Sequence, residues 1–281
     1  MKISCLPVSF FPDLIEGRMS IREWARIGRE AGLDAIDLSF LFVKHHTPAY
    51  LERLKNDLKA EGMSVTMIAA YPDFSHPDPV QRRRELDYLN RDIALASALG
   101  ARYVRITAGQ AHPEISIENG LAWVVDCFKK ASVTAARYGV MLLFENHFKP
   151  GAWDLVDFGY PTGVFLEIAD RIRGSGIRIN FDTANTVVCG DDPLVVLEKV
   201  ITQVETIHAA DTSIKGTLEP VLLGRGIVPF RDIFAFLKNY GFDGWICIEE
   251  ASRMGTQGII DAARFVREKW DETPPAQIPK E

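Results

Sequence analysis

Residues 139–147 read GVMLLFENH: a glycine, an apolar run, then a carboxylate and, two residues on, a histidine. A glycine there is the residue that ends a helix, because it takes a left-handed backbone without a Cβ penalty. The short aliphatic run after it reads as a buried strand. Glu145 stands where that strand stops. The unit then repeats along the chain: AIDLSF from Ala35, SVTMIAAY from Ser64, RYVRITAG from Arg102, IRINFD from Ile177, VETIHAAD from Val204 and WICIEE from Trp245, with KISCLPV from Lys2 as the opening run. Gly32, Gly62, Gly100, Gly176 and Gly241 announce several of them, as Gly139 does here.

Between the runs the periodicity turns helical, as in REWARIGREAG (22–32), YLERLKNDLKAEG (50–62), RRRELDYLNRDIALASALG (82–100) and LAWVVDCFKKASVTAARYG (121–139). Strands and helices that alternate throughout call for parallel strands joined by right-handed helical crossovers. Eight such units predict an α/β fold, a (β/α)8 TIM barrel. Such a barrel needs about 250 residues, so the 281 residues are expected to form a single domain over 1–270, with 271–281 as a flexible C-terminal tail. An open doubly wound sheet is the rival, but no G-x-G-x-x-G follows the first strand.

A formal net charge of −6 supplies no basic footprint, which speaks against nucleic acid held by its phosphates and for a small-molecule substrate. Cys5, Cys127, Cys189 and Cys247 are scattered and make no C-x-x-C pair, as suits reduced thiols. The chain opens MKISCLPVSF with no extended apolar core after its basic start and no small-residue cleavage site, and no run of 18 apolar residues occurs. The expectation is a cytoplasmic protein with no membrane association.

In a barrel of this type the chemistry sits at the C-terminal ends of the strands. Glu145, Asp182, His208 and Glu249 each close an apolar run there, beside Asp37, Ser39, Tyr71, Asp73, Arg105, Thr107, His147 and Asp211. Three carboxylates and an imidazole converge only if strands five to eight lie side by side in a ring. Hard oxygen donors with one imidazole suit a six-coordinate divalent cation, Mn2+ first, with Mg2+ or Co2+ as options; structural Zn2+ asks for more sulfur or nitrogen. Taken singly, each of the four also reads as a capping carboxylate or a satisfied core histidine.

FENH, FDTAN with GDDP after it, IHAAD, LGRGIVPF and GFDGWICIEE resemble the xylose isomerase-like barrels, specifically the sugar phosphate isomerase/epimerase group, and the likeness spans nearly the whole chain. The resemblance implies that Glu145, Asp182, His208 and Glu249 hold one divalent cation. It also implies that Glu145 and Glu249 are the acid–base pair of an isomerase or epimerase acting on a sugar or keto-sugar through an enediolate. Counting on from Gly244 as the family's ending does selects Glu249 over Glu250, and strand alternation turns Glu250 outward.

Other mouth residues carry two readings each. His147 either contacts a substrate oxygen or orients Glu145. Arg105 either fixes the substrate or pairs with Asp37 or Glu145. Lys215 and Arg225, after the seventh strand, are either anion-recognition residues or solvated loop cations. Trp153, with Phe148 and Tyr160, either covers the sugar's apolar face or packs its own loop. His76 and His112 are either substrate contacts or exposed loop residues.

Two departures bear on the activity. Asn185 stands where the ketose 3-epimerases and abasic-site endonucleases carry histidine, and no arginine lies six residues after His208. TMIAAYPDF and RITAGQ resemble the matching segments of 3-dehydroshikimate dehydratases, which makes a metal-dependent lyase of a keto-polyol, a keto-inositol or a 3-keto glycoside the alternative. An abasic-site endonuclease lacks its extra histidines here. A non-catalytic barrel subunit is set against by all four ligands being present. A homo-oligomer paired through helices around the mouth stays open.

Overall fold

The computed structural model describes residues 1–149, 151 and 153–275. Among these the chain forms eight strands: β1 (Lys2–Leu6), β2 (Ile36–Ser39), β3 (Val65–Ala69), β4 (Tyr103–Ile106), β5 (Met141–Glu145), β6 (Arg178–Asp182), β7 (Val204–Ala209) and β8 (Trp245–Glu249). The helices are α1 (Phe11–Glu16), α2 (Ile21–Glu30), α3 (Pro48–Ala60), α4 (Pro79–Leu99), α5 (Ile117–Tyr138), α6 (Thr162–Arg171), α7 (Thr183–Val188), α8 (Pro193–Val200), α9 (Phe230–Tyr240) and α10 (Gly255–Glu272). Every run read from the sequence as a strand is one. The sheet is parallel throughout, ordered β1-β8-β7-β6-β5-β4-β3-β2. β1 meets β2 through Asp34 N, which donates to the Ile3 carbonyl (2.9 Å), and through Ser4 Oγ, which donates to Asp37 Oδ2 (2.6 Å). The (β/α)8 barrel thus closes.

Local chemistry sets the element ends. Gly100 and Gly139 close α4 and α5 with φ of 80° and 67°, the left-handed termination that only glycine takes without strain. Ser20 and Glu23 form a reciprocal capping box at the start of α2. Alternation along each strand then sorts the side chains. Ile3, Ile68, Val104, Phe144, Ile179, Ile207 and Ile246 pack outward into the helical layer, while Met67, Tyr103, Leu143 and Cys247 make a separate cluster inside the barrel. The inward residue two positions on from Tyr103 is Arg105, from Leu143 Glu145, and from Cys247 Glu249. One parity choice therefore fills the barrel and points the polar set at its mouth.

No helix among the described residues is long and apolar enough to cross a membrane. Of the segment read as a flexible tail, Asp271 and Glu272 complete α10, and Lys238 Nζ donates to the carbonyls of Trp270 (2.5 Å) and Thr273 (2.7 Å). Residues 276–281 lie outside the described residues.

Candidate metal centre

Glu145, Asp182, His208 and Glu249 each offer a ligand atom, and these atoms lie within 4.8 Å of one another. Register brings them together: Asp182 pairs with His208 across β6 and β7, and Glu145 with Asn180 across β5 and β6. His208 Nδ1 is 2.7 Å from Glu145 Oε1, and Arg105 Nε is 2.9 Å from Glu145 Oε2, all three side chains being fully buried. Glu249 is half-buried and faces the cleft above.

Charge in so dry a place has to be compensated. Burial pushes the Glu145 carboxyl up, but the neighbouring His208 and Arg105 outweigh it and hold the group down at about 2. His208 is the mirror case: burial lowers it, and Glu145, with Glu249 and Asp182 beyond, raises it to about 9. Burial first, then repulsion from Glu249 and Glu145, pushes Asp182 well above the usual carboxylate range. Glu249 is raised as well, chiefly by burial. Once His208 gives up its proton, as a metal ligand must, three carboxylates against one guanidinium leave two negative charges, and these are what a divalent cation would neutralise.

The donor set fits such an ion on other grounds too. Asp182 Oδ2 and His208 Nε2 are buried without a hydrogen-bond partner among the described residues, a costly condition unless something else occupies them. The rest of Asp182 is tied down: its Oδ1 accepts from Asn185 N (2.6 Å) as the cap of α7. Asn146 clamps the same residue's backbone, accepting from Asp182 N (2.7 Å) and donating to its carbonyl (2.8 Å). A ligand held this way has little freedom to turn away.

Above the centre lies a cleft of about 1030 Å³, lined among others by Tyr71, His147, Lys149, Glu249, Ser252 and Arg253. His147 continues the inward parity of Glu145; burial lowers its imidazole to about 3, so it is neutral at physiological pH, and its Nδ1 has no partner among the described residues. Tyr71 stacks on the Arg105 guanidinium (4.5 Å to the ring centroid) and lies 6.5 Å from the His147 ring. Arg105 pairs with Glu145 rather than with Asp37, whose carboxylate instead accepts from Ser4 Oγ and Met67 N.

The remaining sequence candidates fall elsewhere. His76 and His112 meet edge to face (ring centroids 4.9 Å apart), with His112 Nε2 2.9 Å from Asp73 Oδ2 and His76 Nδ1 accepting from Asp78 N. Trp153 is half-buried in the β5–α6 loop, where Phe148 and Tyr160 pack edge to face. Lys215 and Arg225 are exposed and do not line the cleft. Glu250 points outward, fully buried, and accepts from Ser252 N (2.8 Å). Among the residues that sequence reading did not single out, Asn146 had the only usable signal, its place inside FENH; Lys149 and Arg253 reach the cleft through loops of no regular period.

The chain belongs to the xylose isomerase-like TIM barrel family, whose sequence profile matches residues 25–269. It is similar to inosose dehydratase 1 of Bacillus cereus (strain ZK / E33L), 21% identical over 155 residues, which is 48% of this chain and 50% of that one. The chain thus spans about half the length of the inosose dehydratases it matches. It is also similar to L-ribulose-5-phosphate 3-epimerase UlaE of Salmonella paratyphi C (strain RKS4594), 20% identical over 276 residues, which is 92% of both chains. The structure of the probable 3-DHS dehydratase AsbF of Bacillus anthracis superposes with a TM-score of 0.76 at 19% identity, covering 95% of this chain and 99% of that one. The fold is that of the xylose isomerase-like barrels, and among the described residues it carries one cluster of four side chains able to hold a metal ion.

Proposed function

We propose that the protein is a divalent-metal-dependent isomerase or epimerase of a sugar or keto-sugar, Mn2+ being the ion that suits three oxygen donors and one imidazole. The observation that carries this reading is the convergence of ligand atoms of Glu145, Asp182, His208 and Glu249 within 4.8 Å of one another, with Glu249 opening into a sugar-sized or larger cleft. A cation bound there supplies Lewis-acid stabilisation of the negative charge that develops when a carbon beside a carbonyl loses its proton. The chain's own residues do the proton transfer. Glu249 faces the cleft with its basicity raised by burial, while Glu145, three strands away, is held in place by Arg105 and His208. One carboxylate takes the proton and the other returns it. Return to the same carbon inverts it; return to the neighbouring carbon interconverts aldose and ketose. The similarity to an L-ribulose-5-phosphate 3-epimerase along 92% of the chain supports this assignment.

A second reading, elimination from a keto-polyol, is favoured by one observation. Tyr71 and the neutral His147 line the cleft together with Glu249, and either hydrogen-bonding group suits protonation of a departing hydroxyl. Incubation of the manganese-loaded protein with keto-sugars and keto-cyclitols in deuterated water tests both. Deuterium entering the α-carbon without loss of substrate is the result expected. A conjugated product with loss of water selects the lyase instead, and neither outcome with any substrate of these classes refutes the proposal.

A further inference from the structure

We infer that Arg253 is a specificity-determining residue that grips an anionic group, a phosphate ester or a carboxylate, at the end of the substrate remote from the reacting carbon. The inference rests on the reading of the cleft as a sugar site and names the substrate class within it. Arg253 follows the metal-site residue Glu249 by four positions and lines the same cleft. With φ of 62° it is the one non-glycine residue among those described whose backbone is left-handed. Such a conformation persists only where surroundings impose it, and it concentrates at functional sites.

The surroundings do impose it. Buried Glu250 accepts from Ser252 N (2.8 Å) and pairs with Ser252 Oγ; its own backbone is bonded to Leu6 and Ser9 of the β1–α1 segment. Ser9 Oγ then accepts from Arg253 N (2.8 Å). None of this serves packing of the arginine side chain, which is exposed and joins no carboxylate among the described residues. A guanidinium presented on a braced, strained loop is suited to bidentate capture of an oxyanion. Lys149, on the β5–α6 loop, brings a second cation to the same cleft, fixed by donation to the Asp154 carbonyl (3.0 Å). Besides Glu249, two carboxylates line the cleft. Asp13 is compensated by Arg18 at 2.6 Å, and Glu219 is exposed to solvent that screens it. At about 1030 Å³ the cleft is at the upper end of what small-ligand sites offer, leaving room for a charged substituent beyond a sugar ring.

Unreactive ligands test this without turnover: a pentitol, its terminal phosphate and the corresponding pentonate, titrated calorimetrically into the manganese-loaded protein. At least one charged ligand is expected to bind about tenfold tighter than the pentitol, and the larger gain tells phosphate from carboxylate. Arg253→Gly, whose backbone accepts the left-handed angle freely, is expected to fold at least as stably and to lose most of that gain. Arg253→Lys retains part of it. Equal Kd for all three ligands, or a gain that survives intact in Arg253→Gly, overturns the inference; absence of deuterium exchange from keto-sugars counts against the proposed function instead.

Discussion

Fully buried, Glu145 persists as an anion because Arg105 and His208 flank it, so the roles proposed for it as ligand and as acid–base group depend on the same two neighbours. Replacement by the isosteric amide keeps the shape and removes the charge. Glu145→Gln and Glu249→Gln are each expected to lower kcat by about 10²- to 10⁴-fold in the exchange assay; wild-type rates in both would remove the acid–base assignment. Asp37 is a different case, a carboxyl inside the barrel that burial raises to about 6. Its folded pKa lies above the unfolded value near 3.8, so between those pH values the fold binds the extra proton. Stability therefore falls as pH rises through that window, by about 3 kcal/mol at most once pH exceeds 6. Asp37→Asn, able to accept from Met67 N and to donate to Ser4 Oγ, is expected to raise Tm at pH 7.5 and to lose that advantage by pH 4. Equal Tm differences at both pH values would contradict this. At this scale Glu145, Asp182, His208 and Glu249 were legible because each is a polar group at the C-terminal end of a strand read from the sequence. Arg253 was not, since its place depends on the bond its backbone N–H donates to Ser9 Oγ, 244 positions away in sequence.

Strands and helices were legible for the same kind of reason: period and glycine punctuation are local properties, and the eight strands fall where alternating apolar runs put them. Loops are specified by partners far along the chain. The segment after β7 is wound around Asp211, whose carboxylate accepts from the backbone of Thr212 (3.0 Å), Gly224 (2.9 Å), Gly226 (2.9 Å) and Val228 (3.2 Å). Lys215 and Arg225 stand exposed on that segment, for which the sequence left anion recognition and solvated loop cations both open. A Cβ on Gly226 would run into Asp211 Oδ1 and the Thr212 carbonyl oxygen. Gly226→Ala is accordingly expected to destabilise the protein by about 1–3 kcal/mol, measured by chemical denaturation. An unchanged denaturation midpoint would show that the loop is not so wound.

For the whole molecule, the barrel brings three carboxylates into one site and, with His208 neutral, leaves them two charges short of balance. Filling that site should stabilise the fold by mass action, by about 4 kcal/mol at a thousandfold excess of ion over Kd. For a chain of this length the chelated protein is then expected to melt several degrees lower, about 2–4 °C per kcal/mol. Binding also has to displace the proton that Glu145 keeps on His208, so affinity should fall as pH drops below about 9. The most direct measurement is a Mn2+ titration of the chelator-treated protein by calorimetry, run on the wild type and on Asp182→Asn and His208→Ala. One ion per chain in the wild type, with proton release, and at least about a hundredfold weaker binding in each variant is the predicted result. A wild type that binds no ion, or variants that bind it as tightly, would contradict the metal centre.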